Sequence, residues 1–135
     1  MKMKKATKEE YNRLSEIIIG SAIEVHRVLG PGLLESAYQA CLEYELRERG
    51  LQIARQQELP VIYKGVRIDC GYRLDIVVED LIIVELKAVE RFEPIHEAQL
   101  LSHMKLSDCC LGLLLNFNVT VLKDGIRRRV LNFPD

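Results

Sequence analysis

Apolar positions recur at two different periods along the chain. Ile18, Ala22, Val25 and Leu29 repeat at helical spacing and predict a helix over about 8–28. Gly30-Pro31-Gly32 ends it in a sharp turn. A second helix is expected over about 33–49, from Leu34 to Arg49, with Gly50 as its C-terminal cap. The period then shortens. Residues 58–64 read as a strand, Lys64-Gly65 as a tight turn, 66–79 as a long strand and 81–89 as a third. Pro94 opens a helix over about 95–107, where proline lacks only a donor that the first turn does not use. CCLGLLLNF, 109–117, is a continuous apolar run suited to a strand buried on both faces. VLKDGIRRRV reads as a hairpin with Asp124-Gly125 as its two-residue turn.

The resulting order is α-α-β-β-β-α-β-β. The strand–helix–strand step from 81 to 117 predicts a right-handed crossover between parallel strands. One α/β (α+β) domain spanning 1–135 follows, with a mixed central sheet flanked by helices. At 135 residues and 48% hydrophobic composition the chain can build one core. Its 19 basic and 20 acidic residues exclude a globally basic coat protein and leave room for a local basic patch. No apolar run approaches the roughly 20 residues of a membrane span. The basic start MKMKKATKEE leads into no apolar segment, so no secretory signal is read there. A soluble cytoplasmic protein is expected. Cys41, Cys70, Cys109 and Cys110 have no C-x-x-C spacing and lie in apolar segments, as buried thiols do.

The stretch LDIVVEDLIIVELKA, 74–88, places charges inside strands. If 66–79 and 81–89 pair about a tip near Asp80, partners sum to about 160. Asp75 then faces Glu85, Val77 faces Ile83, and Arg73 faces Lys87. Alternation puts Asp75, Glu85 and Lys87 on one side, and Leu74, Ile76, Val78, Ile82, Val84 and Leu86 on the other. Two opposed carboxylates repel. They either share a proton or hold a cation, and an oxygen-rich pair favours a hard ion such as Mg²⁺ over zinc. The bland alternative is a solvated face with Arg73 and Lys87 as ion-pair partners.

Two helical residues bear on this choice. Glu35 is expected on the apolar flank of its helix, between Leu42 and Leu46 and away from Ser36, Gln39 and Glu43. Gln99 is expected to share a sheet-packing face with Ile95, Ser102 and Leu106. Capping of its own helix by Glu35, and a backbone contact by Gln99, are the structural alternatives. His96 and His103 lie near one face of their helix and are read as structural.

Asp75 followed by Glu85-Leu86-Lys87, after a helix carrying Glu35, resembles the PD-(D/E)xK nuclease superfamily and its α-β-β-β-α-β core. More narrowly, the ordered set Gly32-x-x-Glu35-x-x-Tyr38, Gly71-Tyr72-Arg73-Leu74-Asp75, Val84-Glu85-Leu86-Lys87 and His96-Glu97-Ala98-Gln99-Leu100 is similar to the bacterial and archaeal GxxExxY proteins. The match runs from about 14 to 133. It implies a restriction-endonuclease-like core with an extra N-terminal helix and a C-terminal hairpin. It implies Asp75 and Glu85 as metal ligands, with the Leu86 carbonyl as a third, and Lys87 as the catalytic lysine. Glu35 matches the acidic residue of the first core helix, and Gln99 the polar residue of the helix after the motif strand. Gly32, Tyr38 and Gly71 belong to the motif framework; Tyr38 is read either as a partner of Glu35 or as a core aromatic. Leu74 stands where the superfamily often has proline.

The expected activity is Mg²⁺-dependent (Mn²⁺ as substitute) hydrolysis of phosphodiester bonds in DNA, with RNA second. Arg73, Lys105, Arg127 and Arg129 are the candidate phosphate contacts. A solvated, charge-protected edge strand explains the arginine run equally well. The alternative is a catalytically silent nuclease-fold module. Homodimerisation or an unidentified protein partner is expected to supply substrate selection.

Overall fold

The computed structural model describes residues 2–135. Helix α1, Lys8–Leu29, starts where the Thr7 side chain accepts the Glu10 N–H at 3.2 Å, and it buries Tyr11, Leu14, Ile18, Ala22 and Val25 along one stripe. Helix α2, Glu35–Glu48, buries Tyr38, Leu42 and Leu46. The main sheet comprises β1 (Ile53–Glu58), β4 (Arg73–Val78), β5 (Ile82–Lys87), β6 (Leu111–Asn116) and β7 (Ile126–Val130), in the order β1-β4-β5-β6-β7. Neighbours are antiparallel except β5 and β6, which are parallel and joined through α3, Pro94–Ser107. The core run α2-β1-β4-β5-α3-β6 is the restriction-endonuclease-like arrangement.

Alternation sorts the strands onto two faces. Under α1 and α2 lie Ile76, Val78, Ile82, Val84, Leu86, Leu111, Leu113 and Leu115. Under α3 lie Leu74, Val77, Ile83 and Leu114, against Leu100 and Met104. Gly112 lets α3 come close, since a Cβ there would stand 2.7 Å from Met104 Sδ and 2.9 Å from Leu100 Cδ1. Cys109 and Cys110 are buried as expected, whereas Cys41 is half-buried and Cys70 is exposed before β4.

Three expectations need correction. The expected strand 58–64 is the end of β1 plus β2 (Val61–Tyr63), and 66–79 divides into β3 (Val66–Ile68) and β4. β2 and β3 pair only with each other, through the Lys64-Gly65 turn, as an arm outside the main sheet. Gly71, at φ 77°, returns the chain to β4. Strand β1 carries little alternation because it is a half-solvated edge, and Gln56 adopts a left-handed φ of 46° within it. Finally, Asp124-Gly125 closes no two-residue hairpin. It lies in a 3₁₀ turn, Leu122–Gly125, and β7 pairs back on β6. Gly125 abuts the end of β6, where an added Cβ would stand 2.2 Å from the Asn116 carbonyl oxygen.

Candidate active site

The β4–β5 pairing has the expected sum, with Val78↔Ile82, Val77↔Ile83 and Ile76↔Val84. It stops there. At the next position Leu86 N–H donates 2.9 Å to Asp75 Oδ2, a side-chain carboxylate. The Asp75 carbonyl turns to α2 and accepts Gln39 Nε2 at 3.0 Å. The β4–β5 ladder therefore ends at Asp75, while β4 itself runs on against β1, and across this irregularity, opposite the left-handed Gln56, Leu74 packs under α3 with Val77 and not on the opposite face with Ile76. Beyond the break Glu85, Leu86 and Lys87 pair with Leu114, Leu115 and Asn116 of β6.

Helix α2 holds that irregularity through a polar relay. Gln39 Nε2 also donates 2.9 Å to Glu43, Gln56 Nε2 donates 3.1 Å to Gln39 Oε1, and Arg55 Nε donates 3.1 Å to Glu43. Glu43 is only 4% exposed, so Arg55 is the partner its buried charge requires. The residue pattern predicts Gln39 and Glu43 on the solvated side and Glu35 inward. The structure reverses this, and Glu35 is an exposed residue of the first turn of α2. The helix starts two residues later than its apolar pattern implied, and it rolls to meet the polar edge at β1.

The loop before α2 fixes where Glu35 sits. Gly32 has φ 100°, accessible to glycine. Tyr38 Oη donates to the Gly30 carbonyl at 2.5 Å and accepts Leu33 N–H at 3.1 Å, clamping both ends of the turn. Its ring stacks on Phe117 at 4.7 Å. Tyr38 is thus a core aromatic that shapes the loop, and it does not bond Glu35.

Glu85 is 6% exposed, and His103 Nδ1–H of α3 donates to its Oε2. His103, expected to be structural, is therefore a direct partner of a candidate ligand. Its place one turn after Gln99 on α3 was the available signal. His96 is structural as expected, its Nδ1 accepting Glu93 N–H at 3.0 Å in a capping box. Gln99, Ser102 and Ile95 are exposed, so their face of α3 points away from the sheet; the packed positions are Leu100, Met104 and Ser107.

Electrostatically the motif side chains act on one point. Burial pushes the Asp75 carboxyl above its ordinary value, against the Leu86 N–H, which holds it down. Glu85 and Glu35 push it further up, and Lys87 pulls it down. Among the described residues the Lys87 ammonium, the Glu35 carboxylate, Asp75 Oδ1 and Glu85 Oε1 have no hydrogen-bond partner. Asn116 braces the end of β5, its carboxamide accepting Val89 N–H at 3.0 Å and donating to the Val89 carbonyl at 2.9 Å. Also among the described residues, no three His, Cys, Asp or Glu side chains close on one point as metal ligands. Two carboxylates with one unused oxygen each suit a hard cation that keeps most of its water, and not a closed zinc centre.

The basic residues are dispersed. Arg73 pairs with Glu58 at 3.2 Å. Arg127 and Arg129 share a face of β7, as expected, and both bind Glu97 of α3, at 3.5 and 2.7 Å. Lys105 is exposed on α3, without an ion-pair partner among the described residues. β7 lies three strands from β4, roughly 14 Å at the usual strand spacing. No helix is long and apolar enough to cross a membrane, among the described residues.

Comparison with curated proteins and with solved structures gives no match. Comparison with protein families matches residues 12–129 to the PD-(D/E)XK nuclease superfamily, a span that takes in α2, strand β4 with Asp75, Glu85-Leu86-Lys87 and the helix bearing Gln99 and His103. With nearly the whole domain covered by that match, the chain belongs to the PD-(D/E)XK nuclease superfamily.

Proposed function

We propose that this protein is a metal-dependent phosphodiesterase that hydrolyses DNA, with RNA the less favoured polymer. The observation that carries the reading is the Asp75 carboxyl. It sits half-buried where the β4–β5 ladder ends, pushed up chiefly by burial and then by Glu85 and Glu35, with an unpaired Lys87 beside them. A carboxyl perturbed by burial and by neighbouring charge marks a candidate functional site, and a divalent cation relieves the repulsion directly.

In this reading the free oxygens of Asp75 and Glu85, with the Leu86 carbonyl, would hold Mg²⁺ or Mn²⁺. A bound divalent ion supplies Lewis acidity to a phosphoryl oxygen and makes water a better nucleophile near neutral pH. Lys87 presents a cation where negative charge gathers at phosphorus. Glu35, exposed and unpaired, orients the attacking water or takes its proton. Gln99 contacts the substrate from α3. Arg73, Lys105, Arg127 and Arg129 meet phosphates; the two arginines of β7 must exchange Glu97 for them.

Purified protein is incubated with linear duplex DNA, single-stranded DNA and RNA, in Mg²⁺, Mn²⁺ or chelator. The expected result is metal-dependent cleavage of DNA that Lys87→Ala lowers by about 10²–10³-fold while metal binding persists. No metal-dependent cleavage of any polymer sinks the enzymatic reading. The second reading, a silent module that keeps the fold and acts with a protein partner, is favoured by one feature. Glu85 already has His103 as its partner.

A further inference from the structure

We propose that a groove beside α3 takes one unpaired nucleobase next to the scissile phosphate, so that the substrate is a strand with a base out of the helical stack. This rests on the nuclease reading and adds its substrate class. The groove has a volume of about 430 Å³ and is lined by Tyr72, Ile95, Gln99, Ser102, His103 and Leu106 among others. Tyr72 is 50% exposed, and its ring centroid lies 6.1 Å from that of His103, inclined at 52°.

Three features define the occupant. First, the groove adjoins the candidate site through one side chain, because His103 both lines it and bonds Glu85. Second, its chemistry is that of a base and not of a phosphate. No lysine or arginine lines it. Ile95 and Leu106 supply an apolar floor, and the Tyr72 ring offers a plane for stacking. The Gln99 amide and the Ser102 hydroxyl offer donors and acceptors of the kind that read a base edge. Neither is engaged by another described residue. Third, Tyr72 and His103 stand too close and too inclined to sandwich a ring, so one base stacks on Tyr72 alone. A base inside a duplex has both faces covered and its edge paired, and it cannot reach that plane without leaving the stack. Single strands, overhangs and frayed ends present such a base without that cost.

The test uses the full chain with Ca²⁺ in place of Mg²⁺ to hold cleavage off. DNA carrying 2-aminopurine is offered as a single strand and as a blunt duplex with the probe paired internally. Stacking on Tyr72 is expected to quench the probe in the single strand, with affinity at least about tenfold above that for the blunt duplex, the usual worth of one base–aromatic stack. Tyr72→Ala should lose the quenching and about tenfold in affinity, and Tyr72→Phe should keep both. Ser102→Leu, which fills the groove with an aliphatic side chain from an exposed helical position, should match Tyr72→Ala with an unchanged melting temperature. Equal affinity for the two polymers, or quenching that survives Tyr72→Ala or Ser102→Leu, overturns the proposal. The two readings separate cleanly. Metal-dependent cleavage with Tyr72-independent binding breaks the groove and leaves the nuclease. Tyr72-dependent quenching without cleavage of any polymer breaks the nuclease and leaves the groove.

Discussion

The two faces of the central sheet are built on different terms. Beneath α1 and α2, every inward position from Ile76 to Leu115 is aliphatic, and Tyr38, Leu42 and Leu46 are fully buried against them. Beneath α3 the apolar contact is confined to one patch around Leu100 and Met104, and next to it Glu85 and His103 form a polar pair. The first face is a foundation. The second admits buried polar groups between helix and strand, and the candidate chemistry gathers around them. A covered carboxylate needs a fixed partner, and each of the two most buried has one, Glu43 in Arg55 and Glu85 in His103.

The comparison breaks most visibly at Lys87. Lys87→Ala should lower metal-dependent cleavage by about 10²–10³-fold with little change in melting temperature, measured by single-turnover assay beside thermal unfolding. On the closed face the order reverses. Leu42→Ala should cost about 2–5 kcal/mol of stability, read by denaturant unfolding, and leave divalent-ion binding intact. Gly112→Ala should cost about 1–3 kcal/mol, because its methyl group would press on Met104 and Leu100. It also lifts α3 off β6, so disturbance of the Glu85–His103 pair should follow. Unchanged stability would mean that α3 yields freely, and the contrast between the faces would fail.

Smaller effects probe the end of the β4–β5 ladder. Gln39→Ala removes the donor to the Asp75 carbonyl and should weaken Mg²⁺ affinity by about tenfold, while Gln39→Glu, which loses that donor, should not rescue it. A purely structural Gln39 would change stability without changing the ion's affinity. Asp75→Asn keeps an acceptor for Leu86 N–H and removes a charge that the fold resists. The folded carboxyl lies above its ordinary 3.8, so the folded state holds its proton more tightly than the unfolded chain. Stability should therefore fall as pH rises from 3.8 through the raised value. Asp75→Asn should remove that slope and stabilise the metal-free protein at neutral pH, by melting temperature against pH, and abolish the stabilisation that Mg²⁺ gives the native chain.

Much of this was legible in the residue pattern, for identifiable reasons. The helices announced themselves by apolar spacing, and the β4–β5 register followed from where alternation allowed Asp80 to be the tip. The pairing of Val77 with Ile83 is local geometry. Strand β1 was not legible because an edge strand needs apolar residues on only part of one face. The Lys64-Gly65 turn and the strands either side of it were legible, but not that β2 and β3 stand apart from the main sheet, because their strand-like composition does not say what they pack on. Gln99 and Glu35 were each assigned the wrong side, since helical spacing gives relative angles but not which stripe meets the sheet.

Composition and order alone thus determined the fold class, the helix positions, the parallel β5–β6 step and the set of ionisable residues near Asp75. Those depend on local periodicity and short loops. The break of the ladder at Asp75, the Gln39–Glu43–Arg55 relay, the bond from His103 to Glu85 and the groove at Tyr72 depend on distant segments meeting. The Gln39–Asp75 and His103–Glu85 bonds join residues 36 and 18 positions apart. Such contacts carry no period, so they exist only once the helices have settled on the sheet.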